Sequence, residues 1–262
     1  MAAVWAQKTV FLVGSSMTQR AYELPWGGFG IGLSNWWTRC ADVILRGQSG
    51  YNSRWTRLTL PEMIGHYRPD LVILFLGNND SITAGTGQHV PVDEFRDNMR
   101  TILDTFRSVN PATAILLLTP TRATKLGRID EVTALYTDVI VDLGVGQNNT
   151  AVVDLWTAGG EFTVDSATDL HDGLHLNQQG NKKVLLGIQH AVRTHFPQFV
   201  PLPNEPGTKL AAAADVGVDG TGAPAGSSGG LHYLFPAWSA LGGRSVEEAA
   251  SLIDAARLRS LL

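Results

Sequence analysis

The sequence has little cysteine, no excess of positive charge and no long apolar run, and each shortage excludes a class of protein. Cys40 is the single cysteine in 262 residues, which excludes an intrachain disulfide and any metal site built from several cysteines. Twenty Lys and Arg stand against 24 Asp and Glu, giving a net charge of −4, and no basic stripe for nucleic acid is visible. The longest apolar run, Leu71–Leu76, is far shorter than the roughly 20 residues that span a bilayer. We therefore expect neither a nucleic-acid partner nor a membrane span.

The first residues, MAAVWAQKTVFLVG, lack the features of a secretory signal. No basic region precedes the apolar run and no small-residue cleavage site follows it. The expected location is therefore cytoplasmic. Apolar residues make up 44 % of the chain and charged residues 17 %, a composition that suits a packed domain.

Short runs of branched aliphatic residues alternate with segments of helical periodicity. The runs are continuously apolar, as expected of strands that are covered on both faces in a parallel sheet. They are Thr9–Val13, Asp42–Leu45, Leu71–Leu76, Ala114–Leu118 and Ala151–Leu155. The helical segments are Val92–Val109, Ile129–Gly144 and Gln178–Phe196. This alternation predicts an α/β fold, a doubly wound three-layer α/β/α sandwich around a five-stranded parallel sheet.

The composition changes near residue 204. Residues 204–230 are rich in Gly and Ala, which predicts a flexible linker. Residues 231–262 contain a group of aromatic residues and an apolar pattern that predicts a short amphipathic helix. We expect a catalytic domain over residues 1–203. The C-terminal segment would pack back on that domain, exchange between subunits of a homo-oligomer, or cover the site as a lid.

Several polar or conformationally special residues directly follow predicted strands, where the crevice of such a fold lies. Ser15 and Ser16 follow the first strand, Gly50 follows the second and Asn79 the third. Either serine can be a plain helix cap, and Gly50 and Asn79 can be plain turn residues. As functional groups they would supply a hydroxyl nucleophile and donors for an oxyanion.

Asp172 and His175 lie three residues apart after the fifth strand, in DGLHLNQQGNKKV. Residues at this spacing in a turn can meet, so the carboxylate can orient the imidazole as a base. Together with a serine and oxyanion donors, the pair completes the set that acyl transfer needs. Together with His171, the pair could alternatively form part of a metal site. Zinc needs three or four protein ligands, however, and no further cluster of acidic residues or histidines supplies them. We expect no metal and no cofactor.

Four segments, GSSMTQ, RGQSGYNSRW, LFLGNND and DGLHLNQQGNKKV, resemble the four blocks of the SGNH/GDSL hydrolase superfamily in order and position. Over residues 8–200 the chain looks more narrowly like the isoamyl-acetate-hydrolysing esterases. The resemblance implies a flavodoxin-like fold and a cofactor-free carboxylic ester hydrolase. It makes Ser16 the nucleophile, His175 the base and Asp172 its orienter. It also implies that Ser16, Gly50 and Asn79 form the oxyanion hole.

One position departs from the family pattern, because Ser15 stands where the first block usually has Asp. That Asp is not a triad member, so the reaction type is expected to survive while the rigidity of the site is put in question. Trp26 could line the acyl pocket, although packing in the core or a loop is the favoured reading for a large aromatic residue.

Three functions stay open on the sequence. The favoured one is a serine esterase acting on small, short-chain acyl esters of the acetate type. A carbohydrate O-acetylesterase would use identical chemistry with a different pocket. A non-catalytic binding paralogue would keep the crevice without hydrolysis.

Overall fold

The computed structural model describes residues 7–125 and 127–201. Within these ranges one parallel sheet has the strand order β2-β1-β3-β4-β5. Its strands are β1 (Lys8–Gly14), β2 (Ala41–Gly47), β3 (Leu71–Phe75), β4 (Ala114–Leu118) and β5 (Thr150–Val153). This is the flavodoxin-like order, so the predicted fold class is confirmed.

Helices cover both faces of the sheet. In the described part of the chain they are α1 (Ser16–Gln19), α2 (Phe29–Trp36), α3 (Ser53–Ile64), α4 (Val92–Val109), α5 (Asp130–Gly144) and α6 (Gln178–His195). Short 3₁₀ turns occur at Arg20–Tyr22, Leu24–Trp26 and Pro197–Phe199. None of the helices in these ranges combines the length and the apolar character that crossing a membrane requires.

Successive residues of the central strands pack into different layers, which explains their unbroken apolar runs. In β1, Val10 and Leu12 pack in the cluster that holds α2 and α6. Phe11 and Val13 pack in the cluster that holds α3, α4 and α5. The same alternation continues in β3 and β4. Each of these strands is therefore buried on two sides, as expected of a parallel sheet.

The strand β2 is covered less completely than the central strands: Val43 and Leu45 pack against one cluster and Ile44 against the other, but all three are only half-buried. Ala41 is its only fully buried residue, and Asp42 is exposed. The physical reason is position, because β2 ends the strand order and pairs with β1 alone within the described sheet. An edge strand has fewer neighbours to bury it.

The topology places two of the predicted site segments next to each other. β1 and β3 are sheet neighbours, and the chain leaves β1 toward one edge and β3 toward the other. Their carboxyl ends flank the switch point, where open α/β sheets form a crevice. Ser16 follows β1 and Asn79 follows β3. The predicted linker 204–230 and C-terminal segment 231–262, with the suggested homo-oligomer contact, lie outside the described residues.

Candidate active site

Ser16 lies at the start of α1, directly beyond the end of β1. Ser15 occupies the N-cap position, and its carbonyl accepts a hydrogen bond from Gln19 N at 2.9 Å. The Ser16 side chain is largely enclosed, since the residue is 4 % exposed. The tight turn from strand to helix thus holds a hydroxyl at the crevice.

Asp172 and His175 are brought together by the turn that they form before α6. Asp172 Oδ1 accepts hydrogen bonds from Leu174 N at 3.0 Å and His175 N at 2.8 Å. His171 N donates to His175 O at 2.9 Å and closes the turn. The three-residue spacing therefore folds the carboxylate back onto the imidazole that follows it.

A serine, a histidine and an aspartate form a continuous hydrogen-bonded chain across 159 residues of sequence. Ser16 Oγ lies 3.0 Å from His175 Nε2, and His175 Nδ1 lies 2.8 Å from Asp172 Oδ2. The carboxylate can only accept, so Nδ1 carries a proton and Nε2 is left to accept the serine proton. The structure thus brings the three predicted catalytic residues together in the order that acyl transfer requires.

The protonation states of the pair suit a base and its orienter. Burial lowers the pKa of the His175 imidazole, while the hydrogen bond to Asp172 raises it in part. Burial alone would raise the pKa of the Asp172 carboxyl, but hydrogen bonds from His175, Lys125 and Leu174 hold it well below its usual range. At neutral pH the imidazole is therefore neutral and the carboxylate is charged.

Lys125 is a member of this cluster that the sequence did not predict. Its Nζ lies 3.0 Å from Asp172 Oδ2, the same oxygen that faces His175 Nδ1. The backbone N–H groups of Thr124 and Lys125 both donate to Gly173 O, at 2.9 and 3.2 Å. The loop between β4 and α5 therefore clamps the Asp172–His175 turn.

Gly50 and Asn79 lie in loops that are tied to each other. Asn79 Nδ2 donates to Tyr51 O at 2.7 Å, and Gln88 Nε2 donates to Gly50 O at 2.8 Å. Gly50 has a φ of +81°, a conformation that a residue with a Cβ adopts only under strain. The glycine in this loop is thus required by the backbone.

The loop that carries Gly50 is also joined to the segment that carries Ser16. Gln48 N donates to Gly14 O at 2.9 Å, and Ser49 N donates to Gln19 Oε1 at 2.7 Å. The three predicted oxyanion donors therefore belong to one hydrogen-bonded set of loops. Among the described residues, no protein group accepts the second hydrogen of Asn79 Nδ2, which leaves it available to a ligand.

Ser15, the residue that departs from the family pattern, contributes little to this network. It is 4 % exposed, and its hydroxyl makes no hydrogen bond with any group in residues 7–125 or 127–201. The cross-loop bonding expected of an Asp at this position is thus absent there, and other bonds join the loops.

Trp26 is half-buried at the end of the 3₁₀ turn Leu24–Trp26, so it packs in a loop beside the site and not in the core. Its ring stacks on the His171 ring with centroids 4.3 Å apart and an angle of 2°. The His171 ring lies 5.9 Å from the His175 ring. Trp26 and His171 form a wall beside the imidazole, which we call the aromatic wall.

His171, Asp172 and His175 also have the composition of a partial metal site, and their ligand atoms lie within 4.8 Å of one another. Asp172 already accepts from two backbone N–H groups, the imidazole and Lys125. The hydrogen bonds that Asp172 accepts therefore account for the closeness of Asp172 and His175 within this grouping.

Of the remaining described histidines, His66, His190 and His195 are exposed, as expected. The expectation of a surface or helix-face position is wrong for His89, which is half-buried in the loop after β3, with its Nδ1 3.1 Å from Asp80 O and 2.8 Å from Ile82 O.

Comparison with known proteins places this geometry in a family. The model of the GDSL-like Lipase/Acylhydrolase family matches residues 12–183. The mouse (Mus musculus) isoamyl acetate-hydrolyzing esterase 1 homolog is 34 % identical over 207 residues, which cover 71 % of this chain and 81 % of the relative. The rice (Oryza sativa subsp. japonica) GDSL esterase/lipase WDL1 is 34 % identical over 193 residues, 66 % of this chain and 73 % of the relative.

Solved structures show the same fold. A catalytic mutant of Axe2, an acetylxylan esterase from Geobacillus stearothermophilus, aligns with a TM-score of 0.60 at 17 % identity. The alignment covers 72 % of this chain and 95 % of that one. The chain thus belongs to the GDSL-like lipase/acylhydrolase (SGNH) family and is an esterase/acylhydrolase, a carboxylic ester hydrolase.

Proposed function

We propose that this protein is a serine esterase that hydrolyses small carboxylic esters with short acyl groups of the acetate type. The observation that carries the proposal is the continuous contact from Ser16 Oγ to His175 Nε2 and from His175 Nδ1 to Asp172. This chain of contacts aligns a nucleophile, a base and the carboxylate that orients the base. The similarity to isoamyl acetate-hydrolyzing esterase homologs supports the acyl size.

In the first half-reaction, Ser16 Oγ attacks the ester carbonyl carbon as its proton passes to His175 Nε2. The carbonyl oxygen becomes an oxyanion held by Ser16 N–H, Gly50 N–H and the free N–H of Asn79. Asp172 stabilises the imidazolium that forms. The carbon–oxygen bond to the alcohol then breaks, and the imidazolium gives its proton to the departing alkoxide.

In the second half-reaction, a water replaces the alcohol. His175 takes a proton from that water as its oxygen attacks the acyl carbon. The bond from the acyl carbon to Ser16 Oγ breaks, Ser16 regains its proton from the imidazolium, and the carboxylic acid leaves. Every proton is returned, so this chain's own residues suffice for the cycle.

The aromatic wall supports an apolar alcohol as the leaving group. His175 protonates that alcohol, so the alcohol must sit beside the imidazole when the bond breaks. Trp26 stacks on His171, and the His171 ring lies 5.9 Å from the His175 ring, so aromatic side chains lie near this position. An alkyl alcohol gains by leaving water there.

A panel of p-nitrophenyl esters with rising acyl length tests the acyl preference. We expect the highest kcat/KM for acetate to butyrate and a decline of about tenfold or more by octanoate. Alkyl acetates and acetylated xylose, compared at equal concentration, separate the alcohol classes. A preference for acetylated xylose would contradict the proposal and favour a carbohydrate O-acetylesterase, and a flat or rising chain-length profile would also contradict it.

The pH dependence of kcat/KM should show an acidic limb below the ordinary imidazole pKa of about 6.5. Only neutral His175 accepts the serine proton, so activity is lost as pH falls through its pKa, which burial lowers. The cation of Lys125 at Asp172 disfavours the imidazolium. Replacing Lys125→Met should therefore raise the pKa of His175 and move the limb to higher pH.

Lys8→Met is the matched control for this shift. Lys8 Nζ pairs with Asp70 at 3.0 Å, and Lys8 is the first residue of β1, at the opposite end of the sheet from the site. Its removal should leave the limb in place. A limb that stays fixed or moves to lower pH in Lys125→Met would contradict the assigned electrostatics.

A further inference from the structure

Arg128 is a buried cation that no catalytic step described above uses. It lies in the loop between β4 and α5 and is 6 % exposed. Its guanidinium donates Nε–H to Asn78 O at 2.6 Å, Nη1–H to Lys125 O at 2.9 Å and Nη2–H to Asn79 Oδ1 at 2.8 Å. All three bonds end on peptide or amide oxygens.

Among the residues that the structure describes, no carboxylate forms an ion pair with Arg128. Burial lowers the pKa of its guanidinium, and the charge of Asp172 raises it in part. An arginine stays charged in proteins, and a buried charge without a paired countercharge costs folding free energy. A function that uses the cation would explain its presence here.

Arg128 contacts the oxygen of the Asn79 side-chain amide, and the nitrogen of the same amide also has a hydrogen-bond partner. Arg128 can only donate and therefore fixes the amide oxygen. The Tyr51 carbonyl can only accept and therefore fixes the nitrogen, at 2.7 Å. The two contacts agree on one orientation of the amide. In that orientation the free N–H, and not the oxygen, is available to an oxyanion.

We propose that Arg128 is a positioning residue for the oxyanion hole, which holds the Asn79 amide in its donating orientation and strengthens its free N–H. The inference rests on the proposed function, because it takes Asn79 as an oxyanion donor. Without Arg128 the amide keeps a single anchor and can rotate. A rotated amide would direct its oxygen at the oxyanion, and repulsion would replace stabilisation.

A bond from a charged donor also polarises the amide that accepts it. Withdrawal of electron density through Oδ1 makes the nitrogen hydrogens more positive, and linked hydrogen bonds strengthen one another in this way. The effect is larger in the transition state, where a full negative charge develops, than with the neutral ester. Arg128 is therefore expected to act on kcat more than on KM.

A double-mutant cycle between Arg128→Met and Asn79→Ala tests the inference. Asn79→Ala should lower kcat on the order of 10²–10³-fold, as loss of one oxyanion donor does. Arg128→Met should lower kcat by about 10–100-fold with KM nearly unchanged, since it weakens the same donor. The double variant should be no slower than Asn79→Ala, because Arg128 then has no donor left to position.

Arg122→Met is the matched control. Arg122 lies in the same loop, but its guanidinium pairs with Asp130 at 2.7 Å and lies over the Trp156 ring at 4.5 Å. Its loss should leave kcat within about threefold of the parent, as expected of a partly exposed ion pair. If Arg128→Met does not unfold cooperatively, Arg128→Lys takes its place in the same cycle with the same expected non-additivity.

Losses that multiply in the double variant would overturn the inference, since they would show that Arg128 acts independently of Asn79. Unchanged kcat in Arg128→Met alongside a slow Asn79→Ala would overturn it as well and leave the proposed function intact. Full activity in Ser16→Ala, by contrast, would overturn the proposed function itself. The two failures are therefore distinguishable.

Discussion

Ser16→Ala is expected to lower kcat for p-nitrophenyl acetate on the order of 10⁶-fold, the size of loss seen when a triad serine is removed. The reason is that no other hydroxyl in the described ranges lies against His175 Nε2, which Ser16 Oγ approaches to 3.0 Å. A residual rate on the order of 10³–10⁴-fold above that of the uncatalysed reaction in water should remain, because substrate binding and the oxyanion donors are still present. Steady-state kinetics with the purified variant measures both quantities.

Ser15→Ala is the control for that loss. As a residue Ser15 is as buried as Ser16, each being 4 % exposed, and its hydroxyl makes no hydrogen bond with the described residues, so its removal should change kcat by no more than a few-fold. Thermal unfolding of both variants checks that the fold is retained. Full activity in Ser16→Ala with an inactive Ser15→Ala would show that the neighbouring serine is the nucleophile.

His175→Ala is expected to reduce kcat about as much as Ser16→Ala, because the serine loses the base that accepts its proton. The two losses should not multiply. A protein lacking both side chains should be no slower than either single variant, since the residues act as one unit. In a profile of kcat/KM against pH, the fall in activity at acidic pH that is caused by protonation of His175 should also disappear.

His171→Ala is the matched control for this change. Its ring lies 5.9 Å from the His175 ring and stacks on Trp26, so it shapes the wall without taking a proton. Its removal should alter KM for alkyl acetates more than kcat. An active His175→Ala or an inactive His171→Ala would reverse the roles assigned to these two histidines.

The central strands could be predicted from the sequence because two layers of helices bury them on both faces. β4 has the predicted bounds, Ala114–Leu118, and so does α4, Val92–Val109. The amphipathic helix repeats one apolar stripe, and the strands are apolar throughout. Both sequence patterns can be recognised without knowing which residues pack against the helix or the strands.

The helices α2 and α3 were not predicted, since tertiary packing overrides their local signals. α2 is rich in glycine, yet a Cβ at Gly32 would lie 2.4 Å from a methyl of Leu185 on α6. The glycine permits a close approach between helices that a sequence alone does not reveal. α3 contains Pro61, a residue that normally argues against a helix, although Asn52 caps its start by accepting from Trp55 N.

The residues now proposed for catalysis were found because they directly follow strands or share one turn. Lys125 and Arg128 were missed for the opposite reason. They lie in an irregular loop after β4, and their importance depends on contacts with Asp172 and Asn79, 47 and 49 residues away. The sequence feature that could have indicated them is the presence of two basic residues in the loop that follows the carboxyl end of a central strand.

Covalent labelling with a fluorophosphonate, followed by mass spectrometry of the labelled peptide, tests the central claim most directly. The probe phosphonylates a hydroxyl whose proton a neighbouring base removes, and fluoride leaves from the phosphorus. We expect one adduct, on Ser16, and none in the His175→Ala protein of unchanged fold. An adduct on another residue, or a Ser16 adduct that persists without His175, would contradict the claim that this imidazole activates this serine.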